Sequence, residues 1–412
     1  LALVRFPEPK TVVIPMSMHA GAPAEPKVAV GDYVKLGQKI GEAKGFISSP
    51  IHSSVSGTVT AVEPRLHPIS GAMVMSVVID SDGKNALHES VKPAGDLESL
   101  TPDDIVNIVR EAGIVGMGGA GFPTSVKLKP PKPVDTVLLN GCECEPLLTA
   151  DHRVMLEYAD DIIFGLKAML KATGADRGII AVEDNKPDAI EALKAKTEGL
   201  DNIEVVAVKT KYPQGAEKML IKRVLGRTVP SGGLPADAGA VVSNVSTVKA
   251  ISDAIQKGMP LVERVVTVTG ERIKNPGNYI VKVGTSVKEL IDYCGGITGD
   301  DTTIKMGGPQ MGFVLSDLNV PVLKATNGVI AVETVESEPN NCIKCGRCVD
   351  VCPMELKPLY FTKYAGMQNW QGFKEQNVMD CIECGCCQTI CSSKIPIVTM
   401  IKIGKQAIRE GK

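Results

Sequence analysis

Between residues 11 and 95, apolar positions come in short alternating runs cut by glycine and serine, as in VAVGDYVKLGQKIGEA and VSGTVTAVE. Period-two alternation broken by turn residues predicts short strands, so residues 1–95 read as a small all-β module. The pattern changes at TPDDIVNIVREAG, where Thr101 stands three residues before Asp104 as a helix cap and apolar residues recur at helical spacing through Val109. A glycine-rich loop from Val115 to Gly121 follows. Then come the strand-like DTVLLN, a helical stretch near Val154 to Ala172, the strand-like RGIIAVE and the helical DAIEALKAKTEG. Strands alternating with helices predict an α/β domain with a largely parallel sheet over residues 96–260. RVVTVTG, NPGNYIVKVGTS and VKELIDYCGG then predict strand, hairpin and helix over residues 261–333. Residues 334–412 hold a cysteine-rich helical segment that ends in IVTMIKIGKQAIREGK, whose basic charges are expected on a solvated face.

Composition narrows the classes of function. A chain of 412 residues with 44% apolar content supports roughly two to four packed domains. The net charge of −2 arises from 45 basic and 47 acidic residues without a long run of either sign, which argues against a nucleic-acid surface and for small ligands and protein partners. No stretch approaches the about 18 consecutive apolar residues of a membrane span, and LALVRFPEPK lacks the pattern of a signal peptide. The expected location is cytoplasmic. Because the sequence starts at Leu1 without methionine, a few natural residues are expected to be missing.

Eight of the 12 cysteines form two identical runs. Cys342, Cys345, Cys348 and Cys352, followed by Pro353, have the C-x2-C-x2-C-x3-C-P spacing of bacterial-type ferredoxins, and Cys381, Cys384, Cys387 and Cys391 repeat it. Three thiolates on a tight loop reach three irons of one cube, while the fourth, a helical turn further on, points toward the second cube. The expected partition is therefore Cys342, Cys345, Cys348 with Cys391 on one 4Fe-4S cluster, and Cys381, Cys384, Cys387 with Cys352 on the other. Two four-cysteine zinc sites share the ligand count, but not the triplet with its remote fourth cysteine and proline. Cys386 is out of register and reads as a bystander, and Cys142, Cys144 and Cys294 as small buried or incidental thiols.

The segment GMGGAGFPTSVK, Gly116 to Lys127, offers backbone amides free of side chains, as a phosphate-bearing ligand requires. It does not fit the G-x-G-x-x-G register after a strand, so an ordinary Rossmann NAD site is not supported. Its GGAGFPT-x-x-K resembles the flavin loop of the NADH-oxidising subunit of respiratory complex I. The resemblance continues in NGCECEP from Asn140, YPQGAEKML from Tyr212 and VSNVST from Val242, four motifs in the family's order. It implies that Gly116, Gly118, Gly119 and Gly121 line the phosphate and ribityl chain of FMN, with Asn140, Glu143, Gly215 and Asn244 completing the flavin pocket. Phe122, Lys127, Glu145 and Glu217 would meet the nicotinamide dinucleotide. Met117 replaces an arginine of the complex I loop, Cys142 and Cys144 replace Asp and Ser, and Ala216 replaces a Glu, which leaves individual contacts open.

Residues 11 to 95 resemble the barrel-sandwich of lipoyl and biotinyl carrier domains, with Phe46 near the tip where that family carries its modified lysine. Lys44 is off that position, so a structural use is expected. The third region is similar to a ubiquitin-like β-grasp. The fold class expected is thus α/β multidomain: a barrel-sandwich β module, a Rossmann-like α/β flavin domain, a β-grasp domain and a C-terminal α-helical ferredoxin-like two-cluster domain. This combination is similar to the RnfC family, the NADH-binding peripheral subunits of the Rnf ion-translocating complexes. PduS-type cobalamin reductases share the glycine loop but lack the long β segment before it.

The RnfC resemblance implies an NADH-linked flavin iron–sulfur oxidoreductase subunit, on the cytoplasmic face of the membrane and without a span of its own. Electrons would pass between NAD(H), FMN, two 4Fe-4S clusters and membrane partner subunits that receive them indirectly from ferredoxin, driving Na+ or H+ export. FMN is needed because NAD(H) carries two electrons and a cluster one. The alternatives are a PduS-like cobalamin reductase and a non-catalytic iron–sulfur adaptor whose glycine loop only shapes a turn.

Overall fold

The structure, a computed structural model, describes residues 2–119, 121–335 and 338–411, so Ala120 of the glycine loop lies outside the described residues, as does Leu1. The N-terminal module consists of two sheets. One has the order Thr11–Pro15, Met73–Ser81, Gly57–Leu66, Tyr33–Val34, and the other Glu25–Pro26, Lys39–Glu42, Ile51–His52. Alternation does the work expected of it: Val12 and Ile14 point inward with Ile40, Ile51, Val59, Val77 and Ile79, while Thr11 and Val13 lie nearer solvent. Phe46 is 82% exposed in the turn after Lys39–Glu42, and Lys44 pairs with Glu25 at 2.8 Å.

Helix Pro102–Glu111 starts with the capping box read from Thr101 and Asp104: Asp104 donates its amide to the Thr101 hydroxyl at 3.2 Å and its carboxylate accepts the Thr101 amide at 2.9 Å. Beyond it lies a four-stranded parallel sheet ordered Ile203–Val208, Arg177–Glu183, Thr136–Gly141, Ala240–Asn244. Parallel strands are covered on both faces, which is why DTVLLN and RGIIAVE are nearly continuous apolar runs. Val137, Leu139 and Ile180 pack on one side with helices Ala159–Thr173 and Val245–Gln256. Leu138, Ile179 and Val242 pack on the other with helix Glu217–Leu225.

A mixed six-stranded sheet follows, ordered Leu3–Arg5, Gly277–Lys282, Glu263–Thr269, Gly328–Glu333, Thr302–Met306, Phe313–Val314. The strand Leu3–Arg5 is thus the edge of this fourth sheet, not part of the N-terminal module, and pairs in parallel with Gly277–Lys282. Helix Val287–Tyr293 closes the core around Val266, Val281, Leu290 and Val329. Three regions meet at Lys324, whose wholly buried ammonium donates to the carbonyls of Pro50 at 2.8 Å and Gly113 at 2.7 Å.

The C-terminal region is helical, with Phe361, Phe373, Val378 and Ile401 at its centre and the Phe361 and Phe373 rings stacked at 5.5 Å. Its last helix, Ile397–Arg409, departs from the expected solvated basic face at one position. Lys405 is buried and donates to the Cys381 carbonyl at 2.6 Å and the Glu383 carboxylate at 2.7 Å, because the apolar stripe of this short helix turns that side chain onto the cysteine loop. Among the described residues no helix is long and apolar enough to cross a membrane.

Candidate functional site

The two cysteine triplets fold alike. Lys344 and Glu383 both have φ of 56°, and Gly346 and Gly385 have φ of 79° and 82°. Left-handed residues at matching places curl each loop so that its three thiols face one point, and the glycine tolerates that conformation without a Cβ penalty. One cavity is lined by Cys342, Cys345, Cys348 and Cys391, and a second by Cys352, Cys381, Cys384 and Cys387, with Cys386 also on its wall. Among the described residues no three His, Cys, Asp or Glu side chains are gathered as tightly as a single ion demands. Four thiols spaced around an apolar-walled cavity fit a larger body, and an iron–sulfur cube has that donor chemistry.

The sheet order of the α/β domain, read in sequence, is third, second, first, fourth, so it reverses between Thr136–Gly141 and Ala240–Asn244. Ligands of open α/β sheets bind at the carboxyl ends of the strands at such a reversal. Asn140 and Asn244 stand there as register partners. Asn140 donates to the Gly215 carbonyl at 2.7 Å and accepts the Cys142 amide at 3.0 Å. Asn244 caps helix Val245–Gln256 by accepting the Ser246 amide at 2.9 Å and donates to Asp151 at 2.6 Å. The glycine loop folds over this spot: Gly116 donates to the Phe122 carbonyl at 2.8 Å, Met117 to the Thr247 hydroxyl at 2.9 Å, and Ala20 of the N-terminal module to the Gly121 carbonyl at 2.9 Å. Gly119, with φ of 126°, has open space where a Cβ would be, and one at Gly118 would meet only the Asn244 side chain, at 3.6 Å. The loop therefore leaves a cradle free of side chains, which fits a phosphate-bearing cofactor such as FMN.

Gly118, Gly119 and Glu145 share a cleft of about 1030 Å³ with Lys305, the loop from Gly307 to Gly312, and Gly385, Thr389 and Lys402 of the cysteine region. Gly116, Gly121, Phe122, Lys127, Asn140, Glu143, Gly215, Glu217 and Asn244 are not on its wall. Lys127 and Glu217 pair with one another at 3.2 Å, and Lys127 also donates to the Val242 carbonyl at 3.2 Å. The Glu143 carboxylate turns inward and accepts the amides of Asp151 at 3.0 Å and His152 at 3.1 Å, at the start of helix Ala150–Glu157. Burial, and then the neighbouring Asp151, push Glu143 up to about 8. Glu145 accepts the amides of Gln310 at 2.9 Å and Met311 at 2.8 Å, and burial raises its pKa against the pull of those two donors.

Reading the sequence alone missed the loop Gly307 to Gly312, along with Asp151, Tyr212 and Arg264. The run MGGPQMG after a strand was the available signal, since paired glycines around a proline mark a tight loop. That loop bridges regions: Gln310 accepts the Thr389 hydroxyl at 2.7 Å, two residues past Cys387. The Tyr212 hydroxyl donates to the Cys384 carbonyl at 2.6 Å, and Gly232 donates its amide to Asp380 at 3.2 Å. These contacts set the cavity of Cys352, Cys381, Cys384 and Cys387 against the α/β domain, while Cys342 and Cys345 of the other cavity are exposed.

Four family models match successive stretches of the chain. Residues 1–84 match the RnfC barrel sandwich hybrid domain, 109–253 the Nuo51 FMN-binding domain, 265–314 the SLBB domain and 334–392 the 4Fe-4S dicluster domain. The chain is 49% identical over 406 residues to the C subunit of the Na(+)-translocating ferredoxin:NAD(+) oxidoreductase complex of Acetobacterium woodii, covering 97% of this chain and 91% of that one. It is 46% identical over 409 residues to the C subunit of the proton-translocating ferredoxin:NAD(+) oxidoreductase complex of Clostridium ljungdahlii, covering 98% and 89%. A solved NAD+-reducing [NiFe]-hydrogenase in the H2-reduced state superposes with a TM-score of 0.52 at 17% identity, over 77% of this chain and 64% of that one, a likeness of fold alone. The class is thus a multidomain α/β electron-transfer protein with a barrel-sandwich N-terminus, an FMN-binding domain, an SLBB domain and a 4Fe-4S dicluster domain. The chain belongs to the RnfC family, the C subunits of the ion-translocating oxidoreductase complexes.

Proposed function

We propose that this chain is the NAD(H)-linked subunit of an ion-translocating ferredoxin:NAD+ oxidoreductase complex, attached peripherally to the cytoplasmic side of the membrane through the other subunits of the complex. It exchanges electrons between NAD(H) and those subunits, which take them indirectly from ferredoxin. Na+ or H+ is the ion moved, through the membrane partners and not through this chain. We further propose four domains, a barrel-sandwich at 1–95 apart from the strand Leu3–Arg5, which joins the sheet of the third domain, a Rossmann-like flavin domain at 96–260, a β-grasp at 261–333 and a ferredoxin-like domain at 334–412. The strand order that reverses at Asn140 and Asn244 supports the Rossmann-like reading.

The observation that carries the proposal is the convergence of the Gly118–Gly119 cradle and the Cys384 loop on one cleft, with Tyr212 joined to Cys384. Amides of Gly116, Gly118, Gly119 and Gly121 would hold the FMN phosphate and ribityl chain, with Asn140, Glu143, Gly215 and Asn244 around them. Phe122, Lys127, Glu145 and Glu217 would receive the dinucleotide, the last three after exchanging their present partners. FMN, when bound, supplies conversion between two-electron and one-electron transfer. Cys352, Cys381, Cys384 and Cys387 would hold the cluster nearer the flavin, and Cys342, Cys345, Cys348 and Cys391 the outer one. Burial and backbone donors around the thiolates would tune the potentials.

The test is a cofactor analysis of anaerobically purified protein for iron, sulfide, zinc and flavin, with NADH-dependent ferricyanide reduction. About eight irons, as two 4Fe-4S clusters require, together with FMN and NADH turnover are expected. Iron without flavin, even after FMN reconstitution, would reduce the chain to an electron-carrying adaptor, and zinc without iron would defeat the proposal.

A further inference from the structure

Behind the glycine loop lies a charged group that the proposed flavin site does not yet include. Arg264, on the strand Glu263–Thr269, is 3% exposed. Its guanidinium donates to the Thr326 carbonyl at 3.1 Å, the Met117 sulfur at 2.8 Å and the Met117 carbonyl at 3.5 Å. Among the described residues no carboxylate is in ion-pair contact with it. The acids that act on it from further off are Asp151 and Glu143, which hold only neutral donors, Asn244 and Ser246 on Asp151 and two backbone amides on Glu143. Burial lowers the Arg264 pKa to about 10, which leaves the group charged at neutral pH.

Holding a charge away from water is costly, so the place where this one is buried matters. Met117 separates two spaces, with Arg264 and a 290 Å³ pocket on one side and, one residue on, Gly118 and Gly119 on the wall of the large cleft on the other.

We propose that Arg264 is the positioning residue of the flavin loop, which it holds through Met117, and that its buried charge acts on bound FMN across that residue. The inference rests on the proposed flavin site and goes beyond it by adding a residue from the neighbouring SLBB region. Hydrogen bonds to Met117 fix the loop in its open curve, and the charge favours the anionic forms of the cofactor over the neutral ones.

The experiment uses the full chain, anaerobically purified, stripped of flavin and titrated with FMN, as wild type, Arg264→Met and Arg264→Lys. Flavin-free Arg264→Met is expected to remain folded, which a melting curve beside the flavin-free wild type checks. It should bind FMN at least roughly tenfold more weakly, and its flavin midpoint potential should move to more negative values. Arg264→Lys should keep most of the potential, and adding Met117→Arg to Arg264→Met should restore it. A wild-type potential and FMN affinity in Arg264→Met would overturn the inference while leaving the flavin site standing. So would a merely less stable Arg264→Met whose bound flavin is unaltered. Should the wild type itself take up no FMN, the reading of the site falls, and the inference with it.

Discussion

The Tyr212 hydroxyl donates to the Cys384 carbonyl at 2.6 Å, joining the α/β domain to the loop of the inner cysteine cavity. Tyr212→Phe removes this bond and the hydroxyl's hydrogen bond to the Glu145 carboxylate. A lost neutral hydrogen bond is worth about 1 kcal/mol, so cluster reduction after NADH mixing should slow several-fold while flavin reduction keeps its rate. Stopped-flow absorbance separates the two phases. Equal slowing of both would place Tyr212 in the dinucleotide step instead.

Cys352 shares a cavity with Cys381, Cys384 and Cys387 although it lies in the other run. Cys352→Ala should therefore disturb the inner cluster and spare the outer one. Iron content and paramagnetic resonance of the reduced protein read this directly, and two unchanged cluster signals would defeat the crossed partition.

Gly215 has no room for a side chain. A Cβ there would lie 2.3 Å from the Cys142 carbonyl oxygen and 3.4 Å from the Cys144 sulfur. Gly215→Ala must push apart the two segments that Asn140 holds together, at a cost of about 1–3 kcal/mol. Both the urea midpoint and the flavin retained on purification should drop. If FMN binding is untouched while stability falls, Gly215 belongs to the scaffold only.

Lys324 makes stability depend on pH with a definite sign. Burial lowers its folded pKa to about 7, against an ordinary value of 10.5. Between these values the unfolded chain binds more protons, so this group's contribution improves as pH rises through the window and its penalty is fully present below 7. The neutral amine keeps two N–H groups, enough for the carbonyls of Pro50 and Gly113. Lys324→Met should be less stable overall, having left two buried carbonyls unpaired. The wild type should gain stability relative to it from about pH 7 to 10 in paired denaturation curves, and parallel curves would place the Lys324 pKa outside that range.

Local pattern carried much of this protein. The capping box at Thr101 and Asp104 and the inward alternation of Val12 and Ile14 depend on residues a few positions apart, so a short window contains their cause. The cysteine spacing groups Cys352 with the second triplet for the same reason, because a helical turn fixes where the fourth thiol points, and the cavities gather the same side chains.

What only the tertiary structure decided are contacts between distant segments. Glu145 reads in the sequence as a carboxylate free for a dinucleotide, yet it accepts two amides from a loop 165 residues away. Arg264 reads as an ordinary strand residue, yet it lies 147 residues from the Met117 it supports. Lys405 looks solvated until the last helix is laid against Cys381. Which cysteine cavity faces the glycine loop likewise follows from Tyr212 and Gln310, not from either run. Periodicity records which face of an element avoids water, whereas the partner that covers that face is chosen by shape and hydrogen bonding once all the elements are in place.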